Sequence, residues 1–532
     1  MSARLAPRSP VAWLVAASLV AAACAPETPP PSVPPPTTAR PEDLRPPAAP
    51  APPALPARTA LKSPDARVVA IRITFATGSA DDPVGKEGLT RLTASAMAEG
   101  GTQALTYEEL SSKLYPLAAS IDVHVDRDET VFEATVPRGV LDQFYPLLRD
   151  VLLTPRLDAE AFARLRARQT SALTSELRGA NDEELGKEAL QWMLYEGHPY
   201  GHPVQGTEHG LAAITLDDVH AQYASAFCRD RVAFGVAGGY PDGFDDTVAA
   251  DVAKLPACPG ERAKLPPPPA HQGVQLVVVD KPGASATAIS IGFTTPVTRS
   301  DVAEFPGLAL AFDALGLHRE SSGRLVRELR VKRGLNYGDF AYAEHFEQVA
   351  GGRIALPNLV RRQQYASMWI RPVKPANALF ALHTALRTYT KLASDGLGDA
   401  ELTQTRAFVS RLVGLEQQTE SSRLGHAMDD RADALPAPYV DVLRRGWADL
   451  DATKLKALLG KVLDTKNLSI AIVGSDGQKI ADALLKADAV PPPVYDAPKP
   501  PEVQADDKEI SAFPVPIDPK AVRVIPVAEM FK

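Results

Sequence analysis

The sequence predicts an α+β protein made of two similar α+β domains, each an antiparallel sheet flanked by helices. Three observations carry this expectation. A proline run, Leu265-Pro266-Pro267-Pro268-Pro269, divides the chain. The same order of strand, turn and helix recurs on either side of it. Each half closes with a short apolar strand, Arg231–Val236 and Leu468–Val473. Each half has ordinary domain size, about 200 residues, and 532 residues are too many for one core.

In chain order, residues 1–24 read as an export signal. Arg4 and Arg8 form a basic start, and Val11–Ala23 is apolar but too short to span a membrane. The stretch Val20-Ala21-Ala22-Ala23-Cys24 resembles a bacterial lipoprotein signal, with Ala21 where that box usually carries leucine. Cys24 is then the lipidated residue; the alternative is an ordinary cleavage near Ala23. Residues 25–61 hold fourteen prolines between Pro26 and Pro56 and few bulky apolar side chains. Such a segment cannot bury enough surface to fold and predicts a disordered tether. Position 25 is not aspartate, the residue that often retains lipoproteins in the inner membrane. The expected location is therefore the cell envelope, lipid-anchored and facing the periplasm, with the outer membrane favoured over the inner.

Residues 62–262 form the first domain. Val68–Phe75 alternates like a strand, Gly78–Gly85 is a turn, and Gly88–Met97 has helical spacing. Asp158 is a candidate cap for a long helix reaching about Arg178. Residues 263–272 are a Pro-rich linker. Residues 273–490 repeat the pattern, with strands at Gln275–Val279 and Ala288–Phe293, a helix from Phe305 to Leu315, and a long helix from Leu397 to about Gln418. Residues 491–532 are a Pro-rich tail expected to be loosely ordered, with Val522–Val527 able to add a strand.

Composition excludes several classes. With 57 Lys+Arg against 65 Asp+Glu the net charge is −8, and the charges are dispersed, which argues against nucleic acid as a partner. No apolar run reaches the ~18 residues of a spanning helix, which excludes a multi-span membrane protein. Beyond Cys24 only Cys228 and Cys258 remain. An exported chain can pair them as a disulfide; two buried free thiols are the alternative.

The segment Gly78-Ser79-Ala80-Asp81-Asp82-Pro83-Val84-Gly85-Lys86-Glu87-Gly88-Leu89 resembles the lead-in to the active helix of the pitrilysin/insulinase family, the inverted zinc metallopeptidases. Their helix carries His-x-x-Glu-His: two zinc-ligating histidines on one face and a glutamate that activates the metal-bound water. The matching positions here are Arg91, Ala94 and Ser95. Arginine cannot give up its proton to ligate zinc, alanine offers no base, and serine is a poor ligand. Glu176, in Thr174-Ser175-Glu176-Leu177, resembles the family's third ligand. Alone it is a vestigial position, and an Arg91–Glu176 ion pair is expected in place of the metal. His198-Pro199-Tyr200-Gly201-His202, followed by Gly206, resembles a structural loop of the family. A metal site built from His198, His202 and Glu176 is a third, weaker alternative.

In the second half, Arg324-Leu325-Val326-Arg327-Glu328-Leu329-Arg330-Val331-Lys332-Arg333-Gly334-Leu335-Asn336-Tyr337 resembles the family's motif in which an arginine and a tyrosine seven apart hold the substrate and help stabilise the tetrahedral intermediate. Arg330 and Tyr337 match that pair. The alternative is a basic helix with Tyr337 packed on a strand. The resemblance implies half of a clamshell: a non-catalytic subunit with no cofactor of its own, inactive alone. It would supply Arg330 and Tyr337 to a zinc-bearing homologue in a heterodimer that cleaves unfolded peptides. A scaffolding or peptide-binding lipoprotein with no part in catalysis is the alternative.

Overall fold

The strand Val68–Phe75 is buried along almost its whole length because helices cover both faces of its sheet. The computed structural model describes residues 57–347, 360–486 and 489–532. The signal, Cys24 and the tether up to residue 56 lie outside the described residues. The first sheet comprises β1 (Ala57–Lys62), β2 (Val68–Phe75), β3 (Asp122–Val125), β4 (Thr130–Pro137) and β5 (Val232–Gly238), in the order β1-β5-β2-β4-β3. The second comprises β6 (Val274–Asp280), β7 (Thr287–Thr295), β8 (Asp339–Tyr342), β9 (Gln364–Val373), β10 (Ser469–Gly474) and β11 (Ile517–Pro526), in the order β11-β6-β10-β7-β9-β8. Without β11 the two orders are the same, so the internal repeat extends to topology. The pairings are antiparallel except at one end of each sheet, where β1 lies parallel to β5, and β6 parallel to both β10 and β11.

The sequence places the tether's end at residue 61, but Ala57–Leu61 belongs to β1. The tail also departs from expectation. Pro501–Ser511 is a helix, and β11 adds a strand at the sheet edge. Prolines at a strand start or on an edge strand remove no ladder bond that a central strand would need. Near the C-terminus, the Arg178 guanidinium donates to the carbonyls of Ala528 (3.0 Å) and Met530 (3.3 Å), and the Glu208 amide donates to Phe531 (3.1 Å). Cys228 and Cys258 are joined in a disulfide, with Cα atoms 5.2 Å apart.

The halves exchange helices. Helix Asp182–Leu194 of the first half packs on β7 and β10 of the second. Val277, Val279, Ala471 and Val473 accordingly share an apolar cluster with the first half. Helix Glu420–Ala432 of the second half returns the arrangement on β2 and β5, seating Leu424 and Met428 against Ala70 and Ala237. Gly235 permits that approach: a Cβ there would lie 2.6 Å from both Leu424 Cδ1 and Met428 Sδ. A sheet whose two faces are both apolar needs two covers, and each half borrows one from the other. The described residues are accordingly one compact unit.

Candidate functional site

Helix Leu89–Glu99 presents Arg91, Ala94 and Ser95. The spacing of Leu89, Leu92, Ala96 and Met97 turns one side into the core. The Asp82 carboxylate caps its start, accepting from the amides of Gly88 and Thr90 (both 2.7 Å) and from the Thr90 hydroxyl (2.6 Å). Burial outweighs these bonds and pushes this carboxyl up to about 7. Arg91 and Ser95 are half-buried, one turn apart, and Ala94 is fully buried.

The long helix packed against it runs Ala159–Ser171 and continues with π winding through Ala172–Ala180. Asp158 caps it, accepting from the Ala161 amide at 2.9 Å. Two contacts dock the helices. Gln169 Nε2 donates to the carbonyls of Gly88 and Gln205 at 2.9 Å each, and Arg168 pairs with Glu99. The expected Arg91–Glu176 ion pair is not formed; Glu176 is exposed on the π-wound stretch.

What faces Arg91 comes from elsewhere. Its burial lowers its pKa, and the carboxylate that most opposes that shift is Glu347, from the second half. Glu347 also lies 2.8 Å from His124 Nε2 on edge strand β3. Burial works against a charge on His124, yet the Glu347 hydrogen bond and charge prevail and hold it above its ordinary value. Glu347 and His124 have no sequence signal that would tie them to Arg91.

The loop at His198–His202 is structural. The Tyr200 amide donates to His198 Nδ1 at 3.0 Å, leaving Nε2 to donate to the linker carbonyl of Pro266 at 3.0 Å. His202 Nδ1 lies 2.9 Å from the Pro203 carbonyl, and burial pushes its pKa down to about 4. Among the described residues no group of three His, Cys, Asp or Glu side chains is arranged to hold a metal. With arginine and serine at the two histidine positions and alanine at that of the glutamate, this helix does not fit zinc.

The Arg/Tyr motif has the opposite character. Leu325 and Leu329 are buried, while Arg327–Val331 is again π-wound. Gly334 takes the left-handed conformation (φ +71°) that turns the chain. Arg333, 1 % exposed, anchors the turn. It bonds Asp507 (2.8 Å), Asp506 (2.6 Å) and both the side chain (2.9 Å) and carbonyl (3.0 Å) of Glu328. The two aspartates belong to the tail helix Pro501–Ser511. Beyond the turn, Asn336 Nδ2 donates to Asp339 (2.5 Å) and to the Arg371 carbonyl (3.1 Å). Arg330 is exposed, with no ion pair or side-chain hydrogen bond among the described residues, and Tyr337 is 84 % exposed rather than packed on a strand. The sequence singles out Arg330 and Tyr337 but misses Arg333, whose partners lie far along the chain.

Comparison with known proteins bears on the family and the fold. The family model for insulinase (peptidase family M16) matches residues 58–208, and that for the peptidase M16 inactive domain matches residues 213–408. An uncharacterized zinc protease of Mycobacterium leprae is 22% identical over 372 residues, 68% of this chain and 78% of that protein. A non-peptidase homolog of Helicobacter pylori is 19% identical over 407 residues, 76% of this chain and 88% of that protein. The crystal structure of a peptidase M16 inactive domain from Pseudomonas fluorescens superposes with a TM-score of 0.68 at 21% identity, covering 79% of this chain and 96% of that one.

Proposed function

The chain belongs to the insulinase (M16) peptidase family, and we propose that it is the non-catalytic, substrate-gripping subunit of a heterodimeric zinc metallopeptidase that acts on unfolded peptides. One observation carries this reading. The positions of the zinc helix hold Arg91, Ala94 and Ser95, whereas Arg330 at the end of the π-wound stretch and Tyr337 beyond the turn stand exposed on either side of Arg333, which the tail helix holds. A zinc-motif homologue of the same family would supply the metal. This chain's part is to hold the peptide. The Arg330 guanidinium donates to a carbonyl oxygen on which negative charge grows, and the Tyr337 hydroxyl adds one donor. Donors fixed before the substrate arrives need no reorganisation as that charge develops. The only π-wound stretches among the described residues carry Glu176 and Arg330, and π winding concentrates at functional sites.

In this reading the chain is an exported lipoprotein held through Cys24, periplasm-facing and favoured in the outer membrane. No helix among the described residues is long and apolar enough to cross a membrane. The likeness to a non-peptidase homolog favours a second reading, a scaffolding or peptide-binding lipoprotein without a catalytic role. Light scattering on this chain mixed with a zinc-motif homologue separates the two. The first reading expects a one-to-one complex that cleaves peptides faster than the homologue alone. Two monomers, or a complex with no gain in rate, would sink it.

A further inference from the structure

The second half contains a cavity of about 140 Å³ between helices Phe305–Gly316 and Glu420–Ala432 and the segment that follows β8. Phe305, Phe312 and Tyr439 give it an aromatic wall, and the carboxyls of Asp313 and Glu416 line it. Neither carboxyl has a hydrogen bond or ion pair among the described residues. His426, 3 % exposed, also lines the cavity, and both of its ring nitrogens lack partners. The single lining cation, Arg299, is already engaged: it is bound to Glu344 at 2.8 Å and lies over the Tyr439 ring. Asp313 and Glu416 are therefore the two lining carboxyls with no cation of their own.

The repeat shows where these acids come from. Asp313 stands as far beyond Gly307 as Ala94 stands beyond Gly88. Glu416 stands as far beyond Gly398 as Glu176 beyond Asp158. The second half thus carries half-buried acids at the two positions where the first half has an alanine and an exposed glutamate. Buried polar groups ordinarily find partners; here the buried imidazole of His426 has none, and it lines the same space as two unpaired, half-buried carboxyls.

We propose that this cavity binds a short aliphatic primary ammonium ion, free or presented as a lysine side chain. The ammonium offers three donors to Asp313, Glu416 and neutral His426, and its alkyl stem lies against the aromatic wall. A cavity of about 150 Å³ holds a molecule of benzene size, which matches a four-carbon amine. No group of three ligating side chains here suits a metal ion. Burial pushes Asp313 up to about 8 and Glu416 up to about 7, the latter against the pull of Arg299 and with the push of Glu344. Tyr342, Tyr439, Glu344, His318, His345 and His426 also line the cavity, and Glu420, Arg423, Asp429, Asp430 and Arg431 sit on helix Glu420–Ala432. Entry of a cation therefore drives protons off the two carboxyls into solvent.

Titration calorimetry of the full chain with n-butylammonium chloride, in two buffers of different ionisation enthalpy, tests this. Saturable binding with proton release near neutral pH is expected, with no binding of 1-butanol. Asp313→Asn and Glu416→Gln each weaken it about tenfold or more; both amides mimic carboxyls that burial holds neutral, so folding persists. A lysine peptide that also competes, while its acetyl-lysine counterpart does not, identifies the side chain as the source. A peptide that fails where the free ion binds identifies a free amine. No binding tighter than about 1 mM, or unchanged affinity in both variants, overturns the proposal.

Discussion

Arg330 makes no side-chain hydrogen bond or ion pair among the described residues, so its removal takes away only what it would give a bound peptide. Arg330→Ala is expected to leave the melting temperature unchanged. In an active pair with a zinc-motif homologue it is expected to lower kcat by about 10²–10³-fold, the usual effect of losing a fixed donor to a developing oxyanion. An unchanged kcat would remove the residue from the mechanism. At this scale the sequence was informative where the helical register alone decides the answer. Helical spacing alone puts Arg91, Ala94 and Ser95 on a common helix, Leu89–Glu99. The partner of Arg91 could not be read. The expectation of Glu176 assumed a regular helix, whereas the winding changes at Ala172 and Glu176 is exposed. The carboxylate that faces Arg91, Glu347, is brought there by the packing of the second half on the first.

Among the elements, the tail departs most from expectation. Its prolines suggested loose chain, but Asp506 and Asp507 on helix Pro501–Ser511 neutralise the buried guanidinium of Arg333, and β11 extends the second sheet. Composition registers the prolines and not the distant cation that orders them. Arg333→Met should destabilise the protein by about 3–5 kcal/mol, because removing one partner leaves the buried carboxylate of Asp507 uncompensated. It should also free the loop bearing Arg330 and Tyr337. Thermal unfolding together with hydrogen exchange at Leu335–Tyr337 checks this; wild-type stability with unchanged protection would show that the tail does not hold the loop. Several strands and helices, by contrast, were legible. Val68–Phe75 is read at its observed limits because alternation is a local signal, but the helix expected to reach Gln418 ends at Leu412, and strands β3, β4, β8 and β9 are not singled out in the sequence.

For the whole molecule, the helix exchange places ionisable groups deep between and within the halves. Burial pushes Glu129, Asp313 and Asp339 up to about 8 and Asp429 up to about 7, from ordinary values near 4. A carboxyl whose folded pKa is raised contributes stability that is complete below its unfolded pKa and is lost as pH rises through the folded value. His202 and His318, pushed down to about 4, act in the opposite sense, losing stability only as pH falls below about 6.5. Between about pH 6 and about pH 8.5 the acids dominate, so the melting temperature should fall across that window. A flat or rising profile would show that these carboxyls are not buried as described. The duplication was readable because each copy keeps its own local pattern. The reciprocal covering of each sheet by the other half's helix was not, since it depends on close approaches such as Leu424 against Gly235.

In the proposed function this chain lacks zinc chemistry of its own and lends substrate-holding residues to a partner. Quantifying bound zinc and peptide cleavage for the purified chain, alone and with a zinc-motif homologue, tests it most directly. The expected result is no zinc and no cleavage by the chain alone, with activity that appears only when the pair forms and falls away with Arg330→Ala. Stoichiometric zinc and cleavage by this chain alone would contradict the account and place a working metal site somewhere other than Arg91, Ala94 and Ser95.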